Sequence, residues 1–143
     1  MGRFTYLASS TRQPEPEESD IEITITTADE VRQGEKINVE VTLRTLHPTI
    51  KDRPVGDIRG EVTILVDGPV PQELRAVGLT NANYVFAGKN VLLTGGHAEF
   101  VATEPGVYTF APGEINVTTS DYPLRCVPKG ENPADSKTTV VAS

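Results

Sequence analysis

The sequence predicts an all-β fold, an antiparallel β-sandwich or small β-barrel carrying an extended N-terminal arm. Three observations predict it. Val, Ile and Thr supply 41 of the 143 residues, and such branched side chains suit a pleated surface and lose freedom in a helix. Gly and Pro add 23 more, spread along the chain as turn punctuation. Where apolar residues run together they alternate with polar ones at period two, the mark of an antiparallel strand with one wet face.

The strands follow in order. In "DIEITITT", Ile21, Ile23 and Ile25 face one side and Glu22, Thr24 and Thr26 the other. After the turn "RQGEK", the stretch "KINVEVTLR" directs Ile37, Val39, Val41 and Leu43 to a core. "EVTILV" repeats the pattern with Val62, Ile64 and Val66, and "DGPVP" ends it. "PQELRAV" suggests a short helical turn, while "NYVFAG", "NVLLTGG", "HAEFVAT" and "EINVTT" suggest short strands. Near the C-terminus, "TTVVA" places Val140 and Val141 on an edge strand that adds to the chain's own sheet or to a partner's. The expected organisation is an arm over residues 1–19, a β domain over 20–127, and a tail with that edge strand over 128–143.

"EPGVYTF" (residues 104–110) is the most specific local pattern. An acidic-Pro-Gly turn enters a strand, with Tyr108 two residues after Gly106. It resembles the tyrosine corner of immunoglobulin-like sandwiches, in which such a Tyr bonds back to upstream backbone. Phe110 stands where antibody domains carry a disulfide Cys, and the chain has no Trp. "GEKINVEVTL" (34–43) likewise looks like the second strand of such a module. The resemblance is to the cysteine-free immunoglobulin-like modules of bacterial surface and phage structural proteins, across roughly residues 20–120. It implies a phage capsid decoration protein, a cement or auxiliary subunit bound to the outer shell.

Composition narrows the function classes. A net charge of −7 and a pI of about 4.8 repel phosphate backbones, so no nucleic-acid partner is expected. No apolar run approaches the ~18 residues of a membrane span. There is no apolar h-region of a secretory leader, and Tyr6 occupies the place where a myristoylated Gly2 would want Ser or Thr. Synthesis in a host cytoplasm without a membrane partner is the expectation. Cys126 is the only cysteine and reads as a small core residue. His47 and His97 are the only histidines; they read as a loop and a strand-entry residue, and no nucleophile elbow accompanies them. No zinc spacing, calcium loop or phosphate loop is present, so no catalytic residue, metal ligand or cofactor is assigned.

The N-terminal segment "MGRFTYLASSTRQPEPEESD" then carries the functional expectation. Arg3 and Arg12 make its first part basic, and Phe4, Tyr6 and Leu7 make it apolar. "QPEPEE" favours an extended backbone at ~3.1 Å per residue, a stalk reaching roughly 40 Å. Arg3, Phe4, Tyr6, Leu7, Val140 and Val141 are the expected partner-binding residues. The expected partners are a major capsid or shell protein and further copies of this chain, a trimer among the arrangements, on a virion surface. Two alternatives stand beside this. One is a receptor- or glycan-binding module using loops 47–57 and 78–88, with Asn81, Asn83 and Tyr84 meeting the ligand. The other is a tail or filament subunit joined by arm or strand exchange.

Overall fold

The computed structural model describes residues 2–11, 14–46, 48–121 and 123–143. Arg12 and His47, singled out above, lie outside the described residues. Among the described residues the chain forms ten strands and no helix. They are β1 (Gly2–Ser10), β2 (Glu17–Thr26), β3 (Glu30–Arg32), β4 (Lys36–Thr45), β5 (Arg59–Asp67), β6 (Gln72–Thr80), β7 (Leu92–Val101), β8 (Gly106–Thr118), β9 (Pro123–Pro128) and β10 (Ser136–Val141).

The strands share one mixed sheet, in the order β3-β10-β8-β5-β6-β7-β4-β2-β1-β9, and β9 pairs in turn with β8. That last pairing closes a ring of eight antiparallel strands, β8-β5-β6-β7-β4-β2-β1-β9. Hydrogen bonding therefore does not divide the strands into two sheets. Closure removes the open edges on which strands otherwise aggregate. β10 and β3 branch from the ring, and β3 runs parallel to β10.

β8 makes both closure and branch possible. One of its edges pairs with β5 along most of its length. The other meets β10 through residues 106–110 and β9 through residues 115–118. The change of partner falls at Pro112–Gly113. There the β5 register slips, with Val62 opposite Ile115 but Ile64 opposite Pro112. The extra residue bends the strand and takes a carbonyl out of the ladder. "VYTF" and "EINVTT" are thus one strand rather than two, because a bulge absorbs the Pro-Gly pair.

Other expectations are corrected in the same way. "PQELRAV" lies in β6 and not in a helical turn, with Ala76 buried and Glu73, Arg75 and Val77 outward. "NVLLTGG" and "HAEFVAT" merge into β7, which places His97 inside a strand. β6 and β7 each carry a bulge at a glycine of positive φ, Gly78 (93°) and Gly95 (86°). The two face each other, so a Cβ built on Gly95 would lie 3.2 Å from the Gly78 carbonyl oxygen, and one on Gly78 3.0 Å from that of Gly95. Only glycine fits both the conformation and the close approach.

The largest correction concerns the N-terminus. The residues expected to form an arm are β1, which completes the ring between β2 and β9. Phe4 is 4% exposed and Tyr6 0%. The Tyr6 hydroxyl donates to the Gly113 carbonyl oxygen at 2.8 Å. The Asn132 amide donates both to the Tyr6 hydroxyl (3.2 Å) and to the Pro112 carbonyl (2.8 Å). Tyr6 thus satisfies the carbonyl that the β8 bulge strands in the interior. The alternation of "RFTYL" is strand alternation, and its apolar face meets the same core as Ile23, Val39, Ile64 and Phe110.

The C-terminal segment also joins the chain's own sheet. Val140 is 2% exposed, and the Thr138 hydroxyl donates to the Ala28 carbonyl at 2.6 Å. Asp135, just before β10, accepts the Ile25 amide at 2.7 Å beyond the end of β1. The Tyr108 hydroxyl donates to the Glu104 carbonyl at 2.8 Å, the upstream bond expected of "EPGVY".

Candidate functional site

Successive antiparallel strands put alternate connections at the same end of the ring. The β1–β2, β4–β5, β6–β7 and β8–β9 connections share one end, and the longest of them, β4–β5 and β6–β7, pack against each other there. Loop backbone that leaves the ladder must still satisfy its polar groups. Here two buried polar side chains do much of that work.

Asn81, the first residue after β6, is 1% exposed. Its side-chain oxygen accepts the Ile58 amide at 3.0 Å. Its side-chain nitrogen lies 2.8 Å from the Pro54 carbonyl, 3.1 Å from that of Asn83 and 3.4 Å from that of Arg53. One amide thus holds both long loops together. Asn81 is therefore spent on structure, which corrects its expected role in meeting a ligand.

Arg53, 5% exposed, is the second brace. Its backbone pairs with Val85, with N–H···O distances of 2.7 and 2.9 Å. Its guanidinium donates to Asp121 at 2.7 Å and to Asp57 at 3.1 Å. Lys51 adds a 2.7 Å ion pair to Asp121. A buried cation flanked by two carboxylates avoids the cost of an isolated charge. The Lys51 ammonium first, then Arg53, holds the Asp121 carboxyl below the usual range. Ser120 does most to lower Asp57, with Arg53 adding to it.

On these braces stands an exposed apolar surface. Tyr84 is 44% exposed and Phe86 63%, with ring centroids 4.8 Å apart. Leu92 lines the same hollow of about 210 Å³, together with Asn83, Lys89 and Asn90. Ile50 and Val55 stand exposed on the neighbouring β4–β5 connection. Asp52 fixes the aromatic loop from outside, accepting the Ala87 amide and the Tyr84 hydroxyl, each at 2.8 Å. These bonds, the backbone bond first, lower the Asp52 pKa, and the hydrogen bond to Asp52 raises that of Tyr84.

The expected partner-binding residues are not gathered at this end. Arg3 is exposed on β1 with Glu22 4.0 Å away. Phe4 and Tyr6 are in the core, and Leu7 is half-buried opposite Val127. Val140 is in the core, and half-buried Val141 pairs with Arg32 of β3. Of the loop residues expected to meet a ligand, Asn83 and Tyr84 line the hollow. Phe86, Ile50, Val55 and Arg53 were not singled out by sequence. "YVF" held the available signal, two aromatics one residue apart inside a turn-rich stretch, but it reads equally as a strand. The structure makes only the single Arg53–Val85 bridge there.

Among the described residues no group of three or more His, Cys, Asp or Glu side chains is arranged to hold a metal ion. No protein-family model matches this chain, and no curated protein matches its sequence significantly.

Proposed function

We propose that this chain is a non-enzymatic structural module that docks on a larger protein assembly through its loop end. The setting we propose is the outer face of a phage-type capsid, where it acts as a decoration subunit. The observation that carries the docking role is the exposed pair Tyr84 and Phe86, flanked by Leu92, on loops braced by buried Asn81 and Arg53, with Ile50 and Val55 also exposed on the β4–β5 connection. Exposed aromatic side chains held in place lose little freedom on binding and dominate interface energetics. The acidic charge suits an outer face rather than the genome side, and the tyrosine corner resembles immunoglobulin-like modules of such proteins. A subunit that binds only the assembled shell stabilises it by mass action. Several copies around a shell junction, with a trimer as the simplest arrangement, would multiply the effect.

The anchor in this reading is the loop end, since Phe4 and Tyr6 are taken up by the core. Co-sedimentation with emptied shells tests it. The native chain should pellet with shells, and the Tyr84→Ser/Phe86→Ser variant should stay in the supernatant while remaining folded. Failure of the native chain to bind shells would remove the capsid setting. Undiminished binding by the variant would remove the loop end as the anchor.

A second reading is favoured by the hollow itself. Asn83, Asn90 and Lys89 beside two aromatic rings offer hydrogen bonds and stacking to a sugar face. Saturation transfer from the protein to a panel of oligosaccharides tests it, and signals abolished by Tyr84→Ser would favour a glycan-binding module.

A further inference from the structure

Beneath the loop end, inside the ring, lies a cavity of about 160 Å³. Its walls come from β2, β4, β7, β8 and β9, with Ile21, Leu43, Leu93, Ile115, Leu124 and Cys126 among them. Ser19, Thr45, Thr49, Arg53 and Thr119 supply its polar lining. Ala8, Ser19, Thr45, Thr49, Arg53 and Leu124 also line a surface crevice of about 420 Å³, so the cavity continues outward between the β1–β2 hairpin and the β4–β5 connection. A concave, largely apolar pocket with a few polar groups at its opening is the usual form of a small-molecule site.

We propose that this cavity binds a small aromatic or branched-alkyl ligand whose polar head is uncharged or cationic. Volume sets the first part. An apolar cavity of about 150 Å³ stays dry and accepts a guest the size of benzene. The polar neck sets the second, since Ser19 presents a hydroxyl where a head group would emerge and Thr49, whose proton goes to the Lys51 carbonyl, presents an acceptor oxygen; the Thr45 hydroxyl is engaged with the Val91 amide. Electrostatics sets the third. The Arg53 and Lys51 cations are matched by Asp57 and Asp121, and Glu17 and Glu18 line the outer crevice, where Lys129 pairs with Glu18 and one carboxylate is left in excess. An anionic head would meet net negative charge there. Cys126 adds no competing anion, because burial pushes its thiol up to about 11.

The site shares Arg53 with the loop braces but shares no lining residue with the Tyr84–Phe86 hollow, and it does not rest on the docking role. Benzyl alcohol, benzylamine and benzoate are suitable probes, titrated into the full chain and followed by NMR. The alcohol and the amine should bind with a Kd of about 1 mM or tighter, within reach of a ligand of about eight heavy atoms. Their ring protons should give Overhauser effects to the methyl groups of Leu43, Leu93 and Ile115. Benzoate should bind at least roughly tenfold more weakly, about 1.4 kcal/mol. Cys126→Leu, which fills the cavity, should abolish binding, whereas Tyr84→Ser/Phe86→Ser should leave it intact. Absence of Overhauser contacts in the native chain at saturating probe would overturn the proposal, whether or not the filled variant folds. So would benzoate binding as tight as benzyl alcohol, or undiminished binding by a folded Cys126→Leu chain.

Discussion

Two short stretches of this chain carry aromatic residues at the same spacing and meet opposite fates. In "FTY", Phe4 and Tyr6 are 4% and 0% exposed and Thr5 points outward. In "YVF", Tyr84 and Phe86 are 44% and 63% exposed, and it is the central Val85 that is buried. Both are locally extended, so i and i+2 share a face in each. The difference is in what lies beside them. β1 has ladder partners on both edges, and its aromatic face turns into the ring. Val85 pairs with Arg53 alone, and its flanking aromatics turn away from the core. An aromatic pair is therefore no evidence of a docking surface until its strand partners are known.

Removing β1 is the strongest way to break the comparison. Deleting residues 1–10 should open the ring between β2 and β9 and abolish cooperative unfolding, read by circular dichroism during a urea titration. A deletion that leaves the melt intact would return this segment to the role of a dispensable arm. Tyr6→Ala should cost about 3–5 kcal/mol, and Tyr6→Phe about 1–2 kcal/mol, because the latter removes only the bonds to Gly113 and Asn132. Burial raises the Tyr6 hydroxyl pKa strongly, so it stays a donor to Gly113 throughout the ordinary pH range.

The loop end should respond more moderately. Asn81→Ala strands several backbone groups and should cost about 2–4 kcal/mol, with hydrogen exchange rising first at Ile58. Gly95→Ala should cost about 1–2 kcal/mol, since its φ is 86° and its Cβ would press on the Gly78 carbonyl.

Acid offers a gentler probe. The folded-state pKa values of Asp57 and Asp121 lie below their ordinary values. Their stabilisation is therefore complete above the unfolded pKa of about 3.9 and is lost as pH falls through the depressed folded values. Urea midpoints should drop across that acid window. Lys51→Met should flatten the drop, because Lys51 is the largest cause of the Asp121 shift. An unchanged slope in that variant would detach the ion pair from the loop end.

The smallest expected effect on stability is the most informative about function. Phe86→Ser should change folding free energy by no more than about 0.5 kcal/mol, yet reduce shell binding sharply. Loss of stability comparable to Tyr6→Ala would mean that the two aromatic pairs do the same work.

Most strand positions were legible in the sequence, because period-two alternation depends only on which neighbours are apolar. Ile21 to Ile25, Ile37 to Leu43 and Val62 to Val66 face the core as their pattern indicates. The Tyr108 bond was legible for a similar reason, since it spans four residues. The breaks that did not occur, at Pro112–Gly113 and at Gly95, were misread because a bulge and a chain reversal use the same residues. The site was barely legible. Asn81 looked like a ligand contact, and Arg53 carried no signal at all.

Local chemistry alone decided that this chain would be built of strands, and which side of each would be apolar. Whether a strand closes a ring, hangs free as an arm or joins another chain is not contained in that periodicity. It depends on hydrogen-bond partners far away in sequence, such as Tyr6 with Gly113 or Arg53 with Asp121. Only when the ring closes do such residues meet, and only then do "FTY" become core and "YVF" surface.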